Sequence, residues 1–157
     1  MRVSLAEIVL FLAAAAAAAT ALPRCSGGGP GVVRASWAIT PGVLNPSVTQ
    51  ANVGSTICKR GWTRTIRPPV SYTNALKAKG LGQYRLRGPP SAFQEDHLIS
   101  LELGGDPVDP RNLWPEPYPR AAAVDRIEND LNHRVCTGSL SLADAQLRES
   151  SIKHSDG

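Results

Sequence analysis

The chain has 157 residues, 42% hydrophobic, 5% aromatic and 19% charged, with 14 Gly, 13 Pro, 3 Cys and a formal net charge of +4. That length suits one domain; few aromatics with so much Pro and Gly speak against a large regular core, and the lack of repeats or sustained heptads excludes solenoids and coiled coils. No Asp or Glu occurs between Glu7 and Glu95, an interval holding ten Lys and Arg, whereas from Glu95 onward twelve acids face six bases, so a basic, polyanion-facing half precedes a carboxylate-rich one.

Arg2 precedes an apolar run from Ile8 to Leu22 with seven consecutive alanines, and Ala19-Thr20-Ala21 offers a small-residue cleavage site. Residues 1–21 therefore read as a signal peptide, and the mature chain is expected outside the cytoplasm, periplasmic or extracellular, with no stable membrane association. Arg24 stands where a lipoprotein signal would carry a small residue before Cys25, so a soluble exported protein is expected. Residues 22–50, with Gly27-Gly28-Gly29-Pro30-Gly31 near their start, read as a flexible lead-in. Alternation from Ser55 to Val70 suggests one short strand with a turn, halted by Pro68-Pro69. Thr73 to Lys79 suits two helical turns, with Thr73 as N-cap and Gly80 as the stop.

Phe93 to Leu103 reads as a strand, Gly104-Gly105-Asp106 and Asp109-Pro110 break it, and Asn112-Leu113-Trp114 is a brief extended piece. Pro115, Pro117 and Pro119 are expected to bar regular structure until residue 120. Val124, Ile127, Leu131 and Val135 recur at helical spacing, giving an amphipathic helix over 120–135. A second helix starts at Ser141, with Asp144 in the capping position, and the polar residues 151–157 read as a frayed tail.

An oxidising compartment permits Cys58 and Cys136 to join in a disulfide; neither lies in a CxxC pair nor has a His at finger spacing, so a metal role for them is disfavoured.

The chemistry concentrates at Glu95-Asp96-His97-Leu98-Ile99-Ser100-Leu101-Glu102-Leu103-Gly104-Gly105, followed by Asn112-Leu113-Trp114-Pro115-Glu116-Pro117. Adjacent strand residues point to opposite faces, so Asp96 and His97 share a site only if the strand bends. The pattern resembles the HNH nucleases of the ββα-metal superfamily, and in particular small exported bacterial proteins with a DHLIPLELGG…NLWPEP…VC pattern, over roughly residues 52–147. Ser100 stands where that pattern has Pro, and no His occupies the usual third position early in the helix. The resemblance implies an α+β fold: a small single domain over 51–150, built on a ββα hairpin and helix behind an irregular N-terminal region. It implies His97 as the base that activates water, Asp96 as a metal ligand, and Asn112 as the amide that ties the hairpin loop and orients the base.

At 100° per residue Glu128 lies on the edge of the apolar face, 40° from Val124, so Glu128 is favoured as second ligand with Asp125 next. The competing reading has Glu128 accepting hydrogen bonds from a buried loop or pairing with Arg120. Two carboxylates with retained waters suit Mg²⁺ or Mn²⁺. Lys59, Arg60, Arg64, Arg67, Lys77, Arg85 and Arg87 would contact phosphates, while Trp62 and Trp114 suit the core. The expected activity is hydrolysis of DNA, with RNA as the lesser substrate, at low sequence specificity and by a monomer. A catalytically inactive scaffold binding a polyanion or cell-envelope partner competes with it. A glycan hydrolase using Glu95 and Glu102 lacks the sugar-stacking aromatics.

Overall fold

The computed structural model describes residues 33–155, so the expected leader at 1–21, Cys25 and the last two residues lie outside the described residues. The stretch from Thr56 onward, expected as a strand, is turn and helix. Its amides bond locally, Thr56 N to Asn52 O, Cys58 N to Val53 O and Trp62 N to Lys59 O, which leaves no ladder for a partner strand. A 3-10 turn at Gln50–Ser55 leads through Gly61, at φ +82, into the short helix α1, Trp62–Ile66. Pro68-Pro69 then starts a helix where a stop was expected: α2 runs Val70–Gln83 with Pro69 as N-cap, so the two turns read from the sequence are its middle.

Strand β1, Phe93–His97, pairs antiparallel with β2, Leu113–Pro117, in a register from Phe93 opposite Pro117 to His97 opposite Leu113. The expected strand to Leu103 therefore ends six residues early. Beyond His97 the ladder has no free groups: Ser100 N goes to the Glu149 carboxylate, Ile99 N goes to the Asn112 amide, and Leu103 and Gly104 turn back on Ser100 and Leu101. The prolines of β2 do not prevent the strand. In a two-stranded sheet each strand keeps an unpaired edge, and Leu98 N bonding Asn112 O places the bonded positions at even numbers, out of phase with Pro115 and Pro117.

Helix α3, Tyr118–Cys136, follows β2 directly, with Pro117 as N-cap and Pro119 in the first turn. Its buried stripe is Ala121, Val124, Glu128, Leu131 and Val135, so Glu128 takes the place expected for Ile127, which is 38% exposed. Ser141 Oγ accepts from Asp144 N at 3.1 Å and opens α4, Leu142–Lys153. Alternation along the hairpin sends Glu95 and Pro115 toward α2, where Gly80 lies against the Pro115 ring, and Asp96 and Glu116 toward α3 and α4. One core cluster joins Val48, Ile57, Ile99, Leu103, Leu131, Val135 and Ala145; another joins Val33, Ala35, Leu98 and Trp114.

Both domain edges differ from the 51–150 expected. From Val33 the chain is part of the packed structure, with Ala35 N donating to Lys153 O at 2.9 Å and Trp37 stacked on His154 at 3.6 Å, so described residues of the lead-in are core and lining. At the other end α4 runs through Lys153, which is fully buried, where a frayed tail was expected. Cys58 and Cys136 are bonded, Cα to Cα 5.5 Å, and tie the approach to α1 onto the last residue of α3 across 78 residues of sequence. Closing a loop of that length stabilises by on the order of 4 kcal/mol in the chain-entropy picture. Among the described residues no helix is long and apolar enough to cross a membrane.

Candidate functional site

The loop between the strands is held by one side chain. Asn112 is fully buried; its Oδ1 accepts from Ile99 N at 2.9 Å and Val43 N at 3.3 Å, and its Nδ2 donates to Ile99 O at 3.0 Å and Asp106 O at 2.9 Å. All four bonding positions of the amide are used. The glycines beside it leave no alternative: a Cβ on Gly105 would stand 1.8 Å from Ile99 O, and Gly104 sits at φ +77. This loop carries Pro107, whose carbonyl lies 3.1 Å from His97 Nε2. A carbonyl can only accept, so Nε2 carries the proton and the neutral ring keeps its lone pair on Nδ1, which has no hydrogen-bond partner among the described residues. Burial pushes the imidazole below its ordinary value, with the Arg67 and Lys153 charges helping and the Pro107 bond and Asp96 opposing. His97 is thus a neutral base near pH 7.

His97 and Asp96 line one cavity of about 260 Å³, where β1 ends at His97 and the chain turns; Arg67, Asp125, Glu128 and Asn129 line it too. Of the basic residues expected at phosphates, Arg67 stands in this cavity. Lys59 and Arg60 line a cleft of about 230 Å³ that shares Glu102 with it, and Arg64 is exposed on α1 and lines neither. Lys77 belongs elsewhere: its ammonium donates to Phe93 O at 3.1 Å on the α2 side of the hairpin, because Glu95 and the strand end draw it inward. Arg85, at φ +52, and Arg87 are exposed beyond the end of α2 and do not line the cavity.

Asp96 and Glu128 do converge, but on a cation of the chain itself. Lys153 Nζ lies 2.8 Å from Asp96 Oδ2, 2.6 Å from Glu128 Oε1 and 3.2 Å from Glu149 Oε1, and it also donates to the backbone carbonyl of His97. Glu149 is fixed in turn, both oxygens accepting from Ser100 N at 2.9 and 3.0 Å. Arg120, the alternative partner expected for Glu128, instead lies 3.3 Å from Glu116 Oε1, stacks over Trp114, and ties the Val33 and Ile152 carbonyls.

The Lys153 ammonium and the Arg120 guanidinium cannot offset four buried carboxylates, so the carboxyls divide into charged and protonated. Burial raises Asp96, but Lys153 outweighs it, with His97 and Glu116, and holds the carboxyl below its usual value. Burial pushes Glu128 up to about 9 and Glu116 to about 8, the nearby Asp96 charge adding to both. Glu149 is raised by burial as well. Burial alone would lower Lys153, yet Asp96, Glu149 and Glu128 hold it charged, well above its ordinary value. The cluster is therefore an Asp96 anion and a Lys153 cation beside Glu116 and Glu128, which keep their protons near neutrality.

This donor set does not fit Mg²⁺ or Mn²⁺ as built, since an ammonium at hydrogen-bond distance from both expected ligands fills the point where an ion would bind them. Sequence reasoning missed Lys153 and Glu149. They sit in α4, whose sequence Leu-Ala-Asp-Ala-Gln-Leu-Arg-Glu-Ser-Ser-Ile-Lys carries no apolar stripe that would mark one face as inward. The one usable signal is Ser100: a residue with an N–H at that place requires a buried acceptor. Comparison with known proteins finds no matching family model, no matching curated protein and no matching solved structure.

Proposed function

We propose that this chain is an exported phosphodiesterase of the HNH type, hydrolysing nucleic acid, DNA ahead of RNA, with low sequence specificity. The observation that carries this reading is His97: a neutral imidazole, its Nε2 proton committed to Pro107 and its Nδ1 unpartnered among the described residues, in a cavity that Arg67 also lines. In the proposed reaction Nδ1 takes a proton from a cavity water, the hydroxide adds to phosphorus, and the bond to the departing ester oxygen breaks, that oxygen taking its proton from solvent. Arg67 offsets the charge on the non-bridging oxygens, and the Lys59 and Arg60 cleft receives the neighbouring phosphates. Asn112 contributes by fixing the loop that orients His97. Contacts of this kind, to phosphates, carry no sequence information, in keeping with weak sequence preference.

Lys153 at the convergence of Asp96 and Glu128 favours a second reading, a scaffold of the same type that binds a polyanion without cleaving it. Incubation of plasmid DNA with the parent chain and with His97→Ala separates the two. A nuclease is expected to nick and linearise the plasmid and to lose that activity in His97→Ala with DNA binding retained, since a general base acts on the transition state more than on ground-state binding. Cleavage undiminished in His97→Ala rules out the base. Binding without cleavage by both chains selects the scaffold.

A further inference from the structure

We infer that Lys153 is this domain's resident cation: its ammonium supplies, between β1, α3 and α4, the positive charge that a divalent ion would otherwise provide, so the folded chain binds no Mg²⁺ or Mn²⁺ at Asp96 and Glu128. The inference concerns what holds the site and stands apart from whether the chain cleaves nucleic acid.

Three observations carry it. The first is geometric: carboxylate oxygens from three different elements, Asp96 on β1, Glu128 on α3 and Glu149 on α4, come within 2.8, 2.6 and 3.2 Å of one atom, Lys153 Nζ. Such convergence of hard oxygen donors is what a divalent cation asks for, and here a side chain meets it. The second is burial. Lys153 and Glu149 are 0% and 1% exposed, so the ammonium cannot swing out to admit an ion without leaving α4's buried face. The third is the backbone: Lys153 Nζ also donates to His97 O, and Lys153 O receives Ala35 N and lies 3.4 Å from Arg120 Nη1, so the residue is held at both ends. Through the His97 carbonyl Lys153 is a positioning residue for the imidazole, fixing the end of β1 where the ring emerges.

The replacement is one of chemistry as well as place. A lysine ammonium is a compact point charge with three donors and no vacant coordination position, so it can neutralise and orient carboxylates but cannot bind a water and acidify it as a divalent ion does. If the chain cleaves phosphodiesters, activation of water then falls to His97 and charge stabilisation to Arg67.

The test is Mn²⁺ binding to the full-length oxidised chain, followed by loss of the free-ion electron paramagnetic resonance signal, with thermal melts in parallel. The parent and Asp96→Asn should bind Mn²⁺ equally weakly and melt at a temperature Mn²⁺ does not change. Lys153→Ala, which opens the cluster, should bind one Mn²⁺ per chain, and at Mn²⁺ about a hundredfold above Kd its melting temperature should rise by about 10 °C. The further change Asp96→Asn should abolish both effects. Should Lys153→Ala be unfolded without metal, its recovery by Mn²⁺ is the same result read another way. Stoichiometric Mn²⁺ binding by the parent that Asp96→Asn removes would overturn the inference, as would a folded Lys153→Ala that gains no site. Because neither readout involves cleavage, a parent that takes up Mn²⁺ at Asp96 and cuts DNA defeats this inference alone, whereas one that takes up none and cuts nothing defeats only the nuclease reading.

Discussion

The two ends of the β1–β2 connection solve the same problem by opposite means. Around Asn112 a buried polar knot is closed by a neutral amide whose four hydrogen bonds all go to backbone groups. A few residues away Asp96, Glu128 and Glu149 crowd one Lys153, with Glu116 beside Arg120, and the knot closes only because some of the carboxyls keep their protons. The amide is complementary to its surroundings at any pH, whereas the carboxylate cluster is complementary over a window. The first can serve as a rigid frame for His97; the second makes the frame's attachment to α3 and α4 depend on conditions.

The most severe way to probe that contrast is Asn112→Ala. It strands the Ile99 N–H and carbonyl in the interior and leaves the partly buried Val43 N–H and Asp106 carbonyl without their partner, which at about 1–3 kcal/mol apiece amounts to about 4 kcal/mol or more, enough to unfold a marginal domain. Urea denaturation should show this loss with little change between pH 5 and pH 9. A loss that varied steeply over that range would mean the two knots are coupled.

The second probe is pH itself. Glu116 and Glu128, at about 8 and about 9 in the folded chain, bind protons that the unfolded chain releases above about 4.5, so stability falls as pH rises through that interval. His97, lowered on folding, acts oppositely but only below about 6.5, and Asp96, also lowered, only at still more acid pH. The melting temperature should therefore decline from pH 6.5 to pH 9. Glu128→Gln, which keeps an oxygen for Lys153 and removes that group's titration, should make the decline shallower and leave the part carried by Glu116 and by Glu95, which burial also raises to about 8; an unchanged slope would show that the Glu128 carboxyl is not a cause.

Ser100→Pro is the mildest probe. Ser100 has φ −61, already suited to proline, and its buried hydroxyl has no partner among the described residues, so the hydrogen bond that the substitution removes is the one from Ser100 N–H to Glu149. A cost of about 1–3 kcal/mol is expected, as for a buried acceptor that loses its donor, with Glu149→Gln absorbing much of it in a double-mutant cycle. Additive costs would mean that Glu149 finds another donor.

What the sequence made legible follows from the kind of signal each part carries. The Cys58–Cys136 bond rested on redox context and an absence of metal-finger spacing, and the Ser141 cap on a local motif; both are short-range chemistry. Glu128 could be turned inward by counting degrees along α3, although the same counting placed Ile127 in the core. The alternation over Thr56–Arg64 misled because a period of two over so few residues does not reveal whether a partner strand exists. Pro115 and Pro117 misled because their effect depends on which edge of the strand they face, a tertiary fact. Lys153 and Glu149 were illegible because buried ionic residues look like surface ones when their partners lie in other elements. Asp96 is 57 residues away from the lysine that holds it.

That separation has a meaning for the order in which the protein is made. A chain growing from its N-terminus completes β1, β2 and all of α3 while the cation that Asp96 and Glu128 need is still unwritten, and the Arg120 guanidinium likewise waits for the Ile152 carbonyl it will hold. Until α4 emerges, the hairpin and helix can close only by keeping every one of those carboxyls protonated or hydrated. The last turn of α4 thus works as a keystone set from the end of the chain, and a message cut a few codons short of Lys153 would leave nearly the whole domain present with the piece that locks its interior missing.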